Sequence, residues 1–134
     1  MAIRIVEIHP ATAPGALNTE WFVVTNDGER PFSTRTCTLA VSRKGSKKRR
    51  ELGTIDPGFT LLPGATMRVL TGNPARKVHG APPTEGPTNY SLFLNEPIFA
   101  EAGMTLSLVL RTMVVTSAIW DPNAPNGVGG TAAG

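Results

Sequence analysis

Apolar and polar residues alternate along short stretches of the chain, and turn-forming residues separate these stretches. The alternation is clear in residues 3–8 and again in residues 37–42, where Cys37, Leu39 and Val41 share one face. It predicts β-strands, because successive side chains of a strand point to opposite faces of the sheet. We also expect strands at residues 21–25, 51–55, 59–62, 66–70, 90–94, 106–110 and 113–119.

Short strands separated by turns are typical of a β-sandwich or barrel. The 14 glycines and 12 prolines favour turns over helices, and no repeat or amphipathic helix stands out. At 134 residues the chain fits one domain, long enough to bury a hydrophobic core without disulfides or metal ions. The pattern therefore predicts an all-β sandwich of about eight or nine strands in a single domain.

Three segments interrupt or end this pattern. Arg111 and Thr112 break the longest run of β-forming residues, which predicts the tip of a hairpin. Residues 72–89 contain prolines and glycines without apolar periodicity, and we expect one long loop there. Residues 121–134 are rich in proline, glycine and alanine, which predicts a flexible C-terminal tail after a folded domain of residues 1–120.

The charge of the chain is uneven. Six of its 13 basic residues lie within residues 43–50, and they are Arg43, Lys44, Lys47, Lys48, Arg49 and Arg50. Ten acidic residues outnumber the other seven basic ones, so the rest of the chain carries −3 although the whole chain carries +3. Because Gly45 and Ser46 can form a turn between two predicted strands, we expect the six cations to project from a hairpin.

A cluster of cations attracts anionic partners at short range, and salt screens this attraction. Three roles of the hairpin stay open: a solvated edge that prevents aggregation, a contact with an acidic protein or a second copy, and contact with a nucleic-acid backbone. No aromatic residue lies among the cations, which speaks against base stacking, and no groove-reading helix is predicted. We therefore expect a protein contact before a nucleic-acid contact.

No motif in the sequence indicates an enzyme. His9 and His79 lie far apart, and neither has another ligand at metal-binding spacing, so we expect surface histidines without a task. Cys37, the single cysteine, falls on the apolar face of its strand and is expected to be buried and unreactive. The carboxylates are scattered, and no calcium loop or phosphate-binding loop occurs. We expect no catalytic residues, no cofactor, no metal ion and no small-molecule substrate.

The sequence also bears on the location of the protein. No stretch approaches the ~18–20 apolar residues that a membrane span needs. Residues 3–8 alternate charged and apolar side chains, which is typical of a strand and not of the apolar core of a signal peptide. A single cysteine permits no disulfide within the chain. We expect no membrane contact and a cytoplasmic location.

The order of several segments resembles the lamin tail domain in its bacterial versions. The segments are IRIVEIHP (3–10), EWFVVTNDG (20–28), TL (38–39), LPGA (62–65) and MRVL (67–70). The resemblance covers roughly residues 3–120 through short strand-and-turn motifs. It implies an immunoglobulin-like sandwich that serves as a structural or interaction module, often appended to other domains, and it transfers no catalytic residues.

The chain departs from this family pattern at two positions. Cys37 stands where the family usually has a tryptophan, so the core must be filled differently there. Val23 stands where the family tends to place a charged residue. Because Phe22 and Val24 are expected to face the core, Trp21 and Val23 share the outer face of the sheet.

An apolar pair on an outer face is either a contact surface or is covered by another part of the same chain. Trp21 and Val23 therefore form a candidate interface, with the second explanation open. We expect a non-catalytic module that works through protein–protein contact, in a homo-oligomer or a larger assembly. The alternative is non-specific binding of nucleic acid or another polyanion through residues 43–50, and a hydrolase ranks third.

Overall fold

The computed structural model describes residues 3–56 and 58–130. Its regular structure is almost entirely β, which confirms the all-β prediction. The strands are β1 (Ile3–His9), β2 (Trp21–Asn26), β3 (Phe32–Ser33), β4 (Thr38–Ser42), β5 (Arg50–Thr54), β6 (Thr60–Leu61), β7 (Thr66–Leu70), β8 (Thr88–Ser91), β9 (Thr105–Leu110), β10 (Met113–Trp120) and β11 (Val128–Gly130). Short 3₁₀ helices lie at Leu17–Thr19, Lys77–His79 and Pro125–Gly127. None of the helices in the described ranges is long and apolar enough to cross a membrane.

Most of the strands belong to two sheets. The four-stranded sheet has the order β1-β2-β7-β8, and the five-stranded sheet has the order β11-β10-β9-β4-β5. Neighbouring strands in both sheets are antiparallel except β7 and β8, which are parallel. The two-residue strands β3 and β6 pair with each other. β9 and β10 form the hairpin that was predicted around Arg111 and Thr112.

The hydrophobic core lies between the inner faces of the two sheets. Ile5 and Phe22 contribute to it from the four-stranded sheet, and Leu39 and Leu106 from the five-stranded sheet. Burial of such apolar surface stabilises a fold by about 25 cal/mol per Å². Cys37 is completely buried in this core, as the alternation predicted. Burial raises the pKa of its thiol, because the thiolate loses its hydration.

All nine strands predicted from the sequence are present, and the largest shift concerns β8. The apolar run 90–94 predicted this strand, whereas the structure has it at Thr88–Ser91. Leu92 and Leu94 follow the strand and pack against the core from an irregular segment. β3 and β11 were not predicted, because two or three residues are too few to show a period of two.

Residues 121–130 return along one side of the sandwich. β11 pairs with β10, and the 3₁₀ helix Pro125–Gly127 lies against β1. Gly127 has a φ of +75°, and a Cβ added to it would collide with the carbonyl oxygen of Ile8. Only glycine fits this close approach. Residues 121–130 of the predicted tail, 121–134, are thus held against the sandwich, and residues 131–134 lie outside the described part.

Candidate functional site

The clustered cations lie on the connection between β4 and β5 and at the first residue of β5, and we call residues 43–50 the basic hairpin. The antiparallel pairing of β4 with β5 confirms the predicted hairpin. A hydrogen bond of 2.9 Å from the backbone nitrogen of Ser46 to the carbonyl oxygen of Arg43 closes the turn. Gly45 has a φ of +79°, a left-handed conformation that glycine adopts without strain.

The basic hairpin leads into the edge strand of the five-stranded sheet. β5 pairs with β4, and no other described strand lies beyond it. Arg50 opposes Val41 and Glu51 opposes Ala40, and a β-bulge then leaves Leu52 without a partner on β4. Every residue of the basic hairpin is exposed. An edge strand presents unpaired backbone N–H and C=O groups, to which a further strand can bind.

Arg43 forms the one ion pair of the basic hairpin within the described part of the chain. Its Nε lies 3.7 Å from Oε1 of Glu101, and 83% and 53% of the two side chains are exposed. An exposed pair of this kind contributes little to stability. The other five cations have no carboxylate partner in residues 3–56 and 58–130, so the hairpin stays strongly positive.

Two clefts flank the basic hairpin, with volumes of about 370 and 460 Å³. Because side chains alternate along an extended chain, Lys48 and Arg50 line the first cleft, and Lys47 and Arg49 line the second. Arg111, from the turn between β9 and β10, adds a further cation to the second cleft. The residues that line the two clefts include no aromatic side chain. The cations are thus divided between two faces of one edge.

A third cleft lies where the edge strands of the two sheets approach each other, and we call this region the open side of the sandwich. Residues 54–56 and 89–93 line this cleft, which has a volume of about 360 Å³. Leu52, Leu92 and Leu94 border a smaller apolar recess next to it. The opposite side of the sandwich is closed, because β1 contacts both β10 and β11.

Phe93 projects from the open side. Its side chain is 61% exposed, and its backbone has a φ of +59°. This conformation costs a residue other than glycine about 1–3 kcal/mol. A hydrogen bond of 3.2 Å from its backbone nitrogen to the carbonyl oxygen of Gly72 holds it in place. A strained backbone that presents an aromatic side chain to solvent marks a candidate contact point.

The predicted interface residues Trp21 and Val23 lie on the outer face of the four-stranded sheet, and the basic hairpin belongs to the other sheet. Trp21 is half-buried: its ring stacks on His9 with centroids 4.0 Å apart, and its Nε1 donates a 2.8 Å hydrogen bond to Glu7. Val23 is 5% exposed and lies between its cross-strand neighbours Glu7 and Arg68. An interface through Val23 would therefore require the surrounding chain to move.

Arg68 fastens the long loop over this outer face. Its buried guanidinium lies 5.5 Å from the centre of the Trp21 ring, a cation–π distance. The guanidinium donates hydrogen bonds of 2.8 and 3.2 Å to the carbonyl oxygens of Glu85 and Pro87, and one of 2.7 Å to Oδ1 of Asn89. Acceptors of the same chain thus satisfy this cation, and the loop that supplies them lies over the sheet.

Glu20 is a buried carboxylate that the sequence analysis did not single out. It has no exposed surface, and a buried carboxylate is costly unless it is hydrogen-bonded. It accepts hydrogen bonds of 2.7 Å from Oγ1 of Thr71, 2.7 Å from the backbone nitrogen of Ile98 and 3.1 Å from that of Phe99. These bonds connect the start of β2 to two distant segments. The partners lie 51 or more positions away, so no local pattern indicates them.

The two histidines also take part in the fold. His79 is buried, which corrects the prediction of a surface residue, and its Nδ1 accepts a 3.0 Å hydrogen bond from the backbone nitrogen of Asn73. His9 is half-buried and donates from Nδ1 to the carbonyl oxygen of Thr19 at 2.8 Å. Turn-rich sequence around a histidine indicated exposure, but the loop backbone folds over the ring of His79.

Within the ranges 3–56 and 58–130, no group of three or more His, Cys, Asp or Glu side chains is placed to hold a metal ion. Comparison with models of protein families gave no match, and no curated protein matches the chain in sequence. The case for a functional site therefore depends on the geometry of the basic hairpin and of the open side beside it.

Proposed function

We propose that this protein is a non-catalytic interaction module that binds an acidic protein surface, on a partner protein or on a second copy of itself. The basic hairpin supports this proposal: it carries six exposed cations, of which only Arg43 has an ion pair among the described residues. Opposite charge on a partner accelerates association and favours that partner over others. The rest of the chain has a net charge of −3, opposite in sign to the hairpin, which makes a second copy one candidate partner.

Nucleic acid is the second candidate partner, because six clustered cations attract any polyanion. Two observations favour protein. The cations are divided between two clefts on opposite faces of the edge, so a phosphate backbone that follows one face meets only part of them. Neither cleft offers an aromatic side chain on which a base could stack.

We further propose that the sandwich is of the immunoglobulin-like type and related to the lamin tail domain. The two-sheet architecture supports this, as does the position of the resembling segments: residues 3–10 contain β1, residues 20–28 contain β2 and residues 67–70 lie in β7. An interaction role without catalytic residues agrees with such a relationship. We also propose that the protein acts in the cytoplasm, as expected from the sequence.

Removal of the hairpin charges tests the interaction role. The hairpin variant loses four cations through Lys47→Ser, Lys48→Ser, Arg49→Ser and Arg50→Ser. The control variant loses four exposed cations elsewhere through Arg30→Ser, Arg35→Ser, Arg76→Ser and Lys77→Ser. We expect the hairpin variant to bind a fluorescent polyglutamate peptide about tenfold more weakly or worse, because each lost contact removes part of the attraction. Fluorescence anisotropy at low salt measures the affinity.

The control variant has the same net charge as the hairpin variant and should keep most of the affinity. An equal loss in both variants would show that only net charge matters and would contradict the proposal. Duplex DNA of the same charge as the peptide is measured in parallel over a salt series. A clear preference for DNA, with a slope near −0.9 per phosphate contact, would favour the second candidate instead.

A further inference from the structure

The two sides of the sandwich differ in how far their edge strands are covered by other parts of the chain. On the closed side, β11 and the 3₁₀ helix Pro125–Gly127 cover the approach to β1. On the open side, β5 and β8 end their sheets without a further described strand. The open side also holds the apolar recess and the exposed ring of Phe93. β1 and β11 also end their sheets, but there β1 contacts β10 and β11, whereas on the open side a partner strand finds free backbone groups next to an apolar recess.

The charge along the β5 edge is polarised from one end to the other. The cations of residues 47–50 lie at and before the start of β5. Asp56 lies shortly after its end; this carboxylate is exposed and has no ion pair in the described part of the chain. Asp56 and Phe93 line the same cleft, so the cleft at the far end of the edge has both a carboxylate and an exposed aromatic side chain in its lining.

From this polarity we infer that two copies of the chain dock antiparallel through their β5 edges, about a two-fold axis near Leu52. The inference rests on the proposed function and names its acidic partner as a second copy. Lys48 and Asp56 lie four residues before and after Leu52, so the antiparallel arrangement places Lys48 opposite Asp56 of the second copy. The two-fold axis repeats this contact, as in any isologous dimer.

The same arrangement gives Phe93 a partner. Phe93 lines the same cleft as Asp56, so the arrangement brings the cationic end of the second copy's edge to the cleft that holds the ring. A cation over an aromatic face is attracted by the ring. A parallel arrangement of two edges would set cations against cations and is disfavoured by repulsion. The β-bulge at Leu52 interrupts the backbone ladder, so charge contacts contribute much of the specificity, and the two-fold axis closes the assembly at two copies.

Charge reversal tests this arrangement through the native mass, measured by analytical ultracentrifugation. We expect the wild-type protein to be a dimer whose dissociation constant rises with salt. The single substitutions Lys48→Asp and Asp56→Lys should each raise the dissociation constant at least about tenfold, because like charges then face each other twice. The double variant K48D/D56K should recover the dimer. A mixture of the two single variants should form a heterodimer, because both of its contacts again join opposite charges.

Charge reversals outside the edge serve as matched controls. The control substitutions are Glu29→Lys and Arg30→Asp, at two consecutive exposed residues that lie outside the β5 edge. They should leave the dimer intact. A dimer that survives both single substitutions at positions 48 and 56 would overturn the inference. A monomeric wild-type protein would overturn it too. If that monomer still binds polyglutamate through the basic hairpin, the proposed function holds although the dimer inference fails. Loss of both dimer and polyglutamate binding in the wild-type protein would overturn both.

Discussion

Arg68 and the basic hairpin place positive charge in opposite surroundings. The guanidinium of Arg68 is buried under the long loop and donates hydrogen bonds to acceptors of its own chain. The cations of the basic hairpin are exposed, and only Arg43 has a carboxylate partner among the described residues. A cation that its own chain satisfies contributes to the fold, whereas one that the chain leaves unpaired can contribute to binding.

The acidic and apolar residues show the same contrast. Glu20 is buried among three hydrogen-bond donors, whereas Asp56 is exposed on the open side without an ion pair in the described part. Val23 is covered on its sheet, whereas Phe93 is exposed. The outer face of the four-stranded sheet is thus completed by the chain itself. On the open side of the sandwich, Asp56 and Phe93 stay exposed.

The substitution Glu20→Ala should have the largest effect on stability. It leaves Thr71 Oγ1 and the backbone nitrogens of Ile98 and Phe99 without their acceptor in a buried site. We expect the free energy of unfolding to fall by about 3 kcal/mol or more, measured by urea denaturation. Glu29→Ala, at an exposed carboxylate, is the control and should change it by less than about 0.5 kcal/mol. A loss below about 1 kcal/mol for the Glu20 variant would show that this network contributes little.

The substitution Arg68→Ala comes next. It removes the hydrogen bonds that fasten the loop, and we expect a loss of about 2 kcal/mol in unfolding free energy. The side chains of Arg76 and Lys77 are already exposed, but cleavage also requires their backbone to enter the active site of trypsin, so local opening of the loop should raise the rate of tryptic cleavage there. Arg68→Lys keeps the charge but loses the planar guanidinium, so its free energy of unfolding should lie between those of the wild-type protein and the alanine variant. Cleavage at the wild-type rate in the alanine variant would mean that other contacts hold the loop.

Local patterns predicted most of the fold, because a strand's period of two is visible within five or six residues. The alternation at residues 37–42 located β4 and the burial of Cys37. The same reasoning placed β8 too late, because Tyr90 and its neighbours form an edge of mixed polarity while the more apolar residues come after the strand. Glu20 and His79 are buried because they form hydrogen bonds with distant segments or with loop backbone. No periodic pattern in the sequence indicates such partners.

The candidate site divides in the same way. The basic hairpin was visible from sequence because its charges are adjacent along the chain. Its division into two clefts follows from strand alternation, but the contribution of Arg111 depends on which strand lies beside β4. The open side was not predicted, because Asp56 and Phe93 line one cleft only when the edges of two sheets are brought together. The sequence thus indicated the cluster of cations, whereas the residues that surround it depend on the order of the strands in the two sheets.

The smallest effect on stability is expected where the effect on binding is largest. The hairpin variant loses Lys47, Lys48, Arg49 and Arg50. Its stability should change little, because none of these residues has an ion pair in residues 3–56 and 58–130. We expect its free energy of unfolding to stay within about 0.5 kcal/mol of the wild-type value, with a slight gain at low salt from reduced repulsion. The measurement is urea denaturation of dilute protein, so that dissociation of a dimer does not contribute. A loss above about 1 kcal/mol would show that the chain itself uses these charges, and the contrast with Arg68 would then disappear.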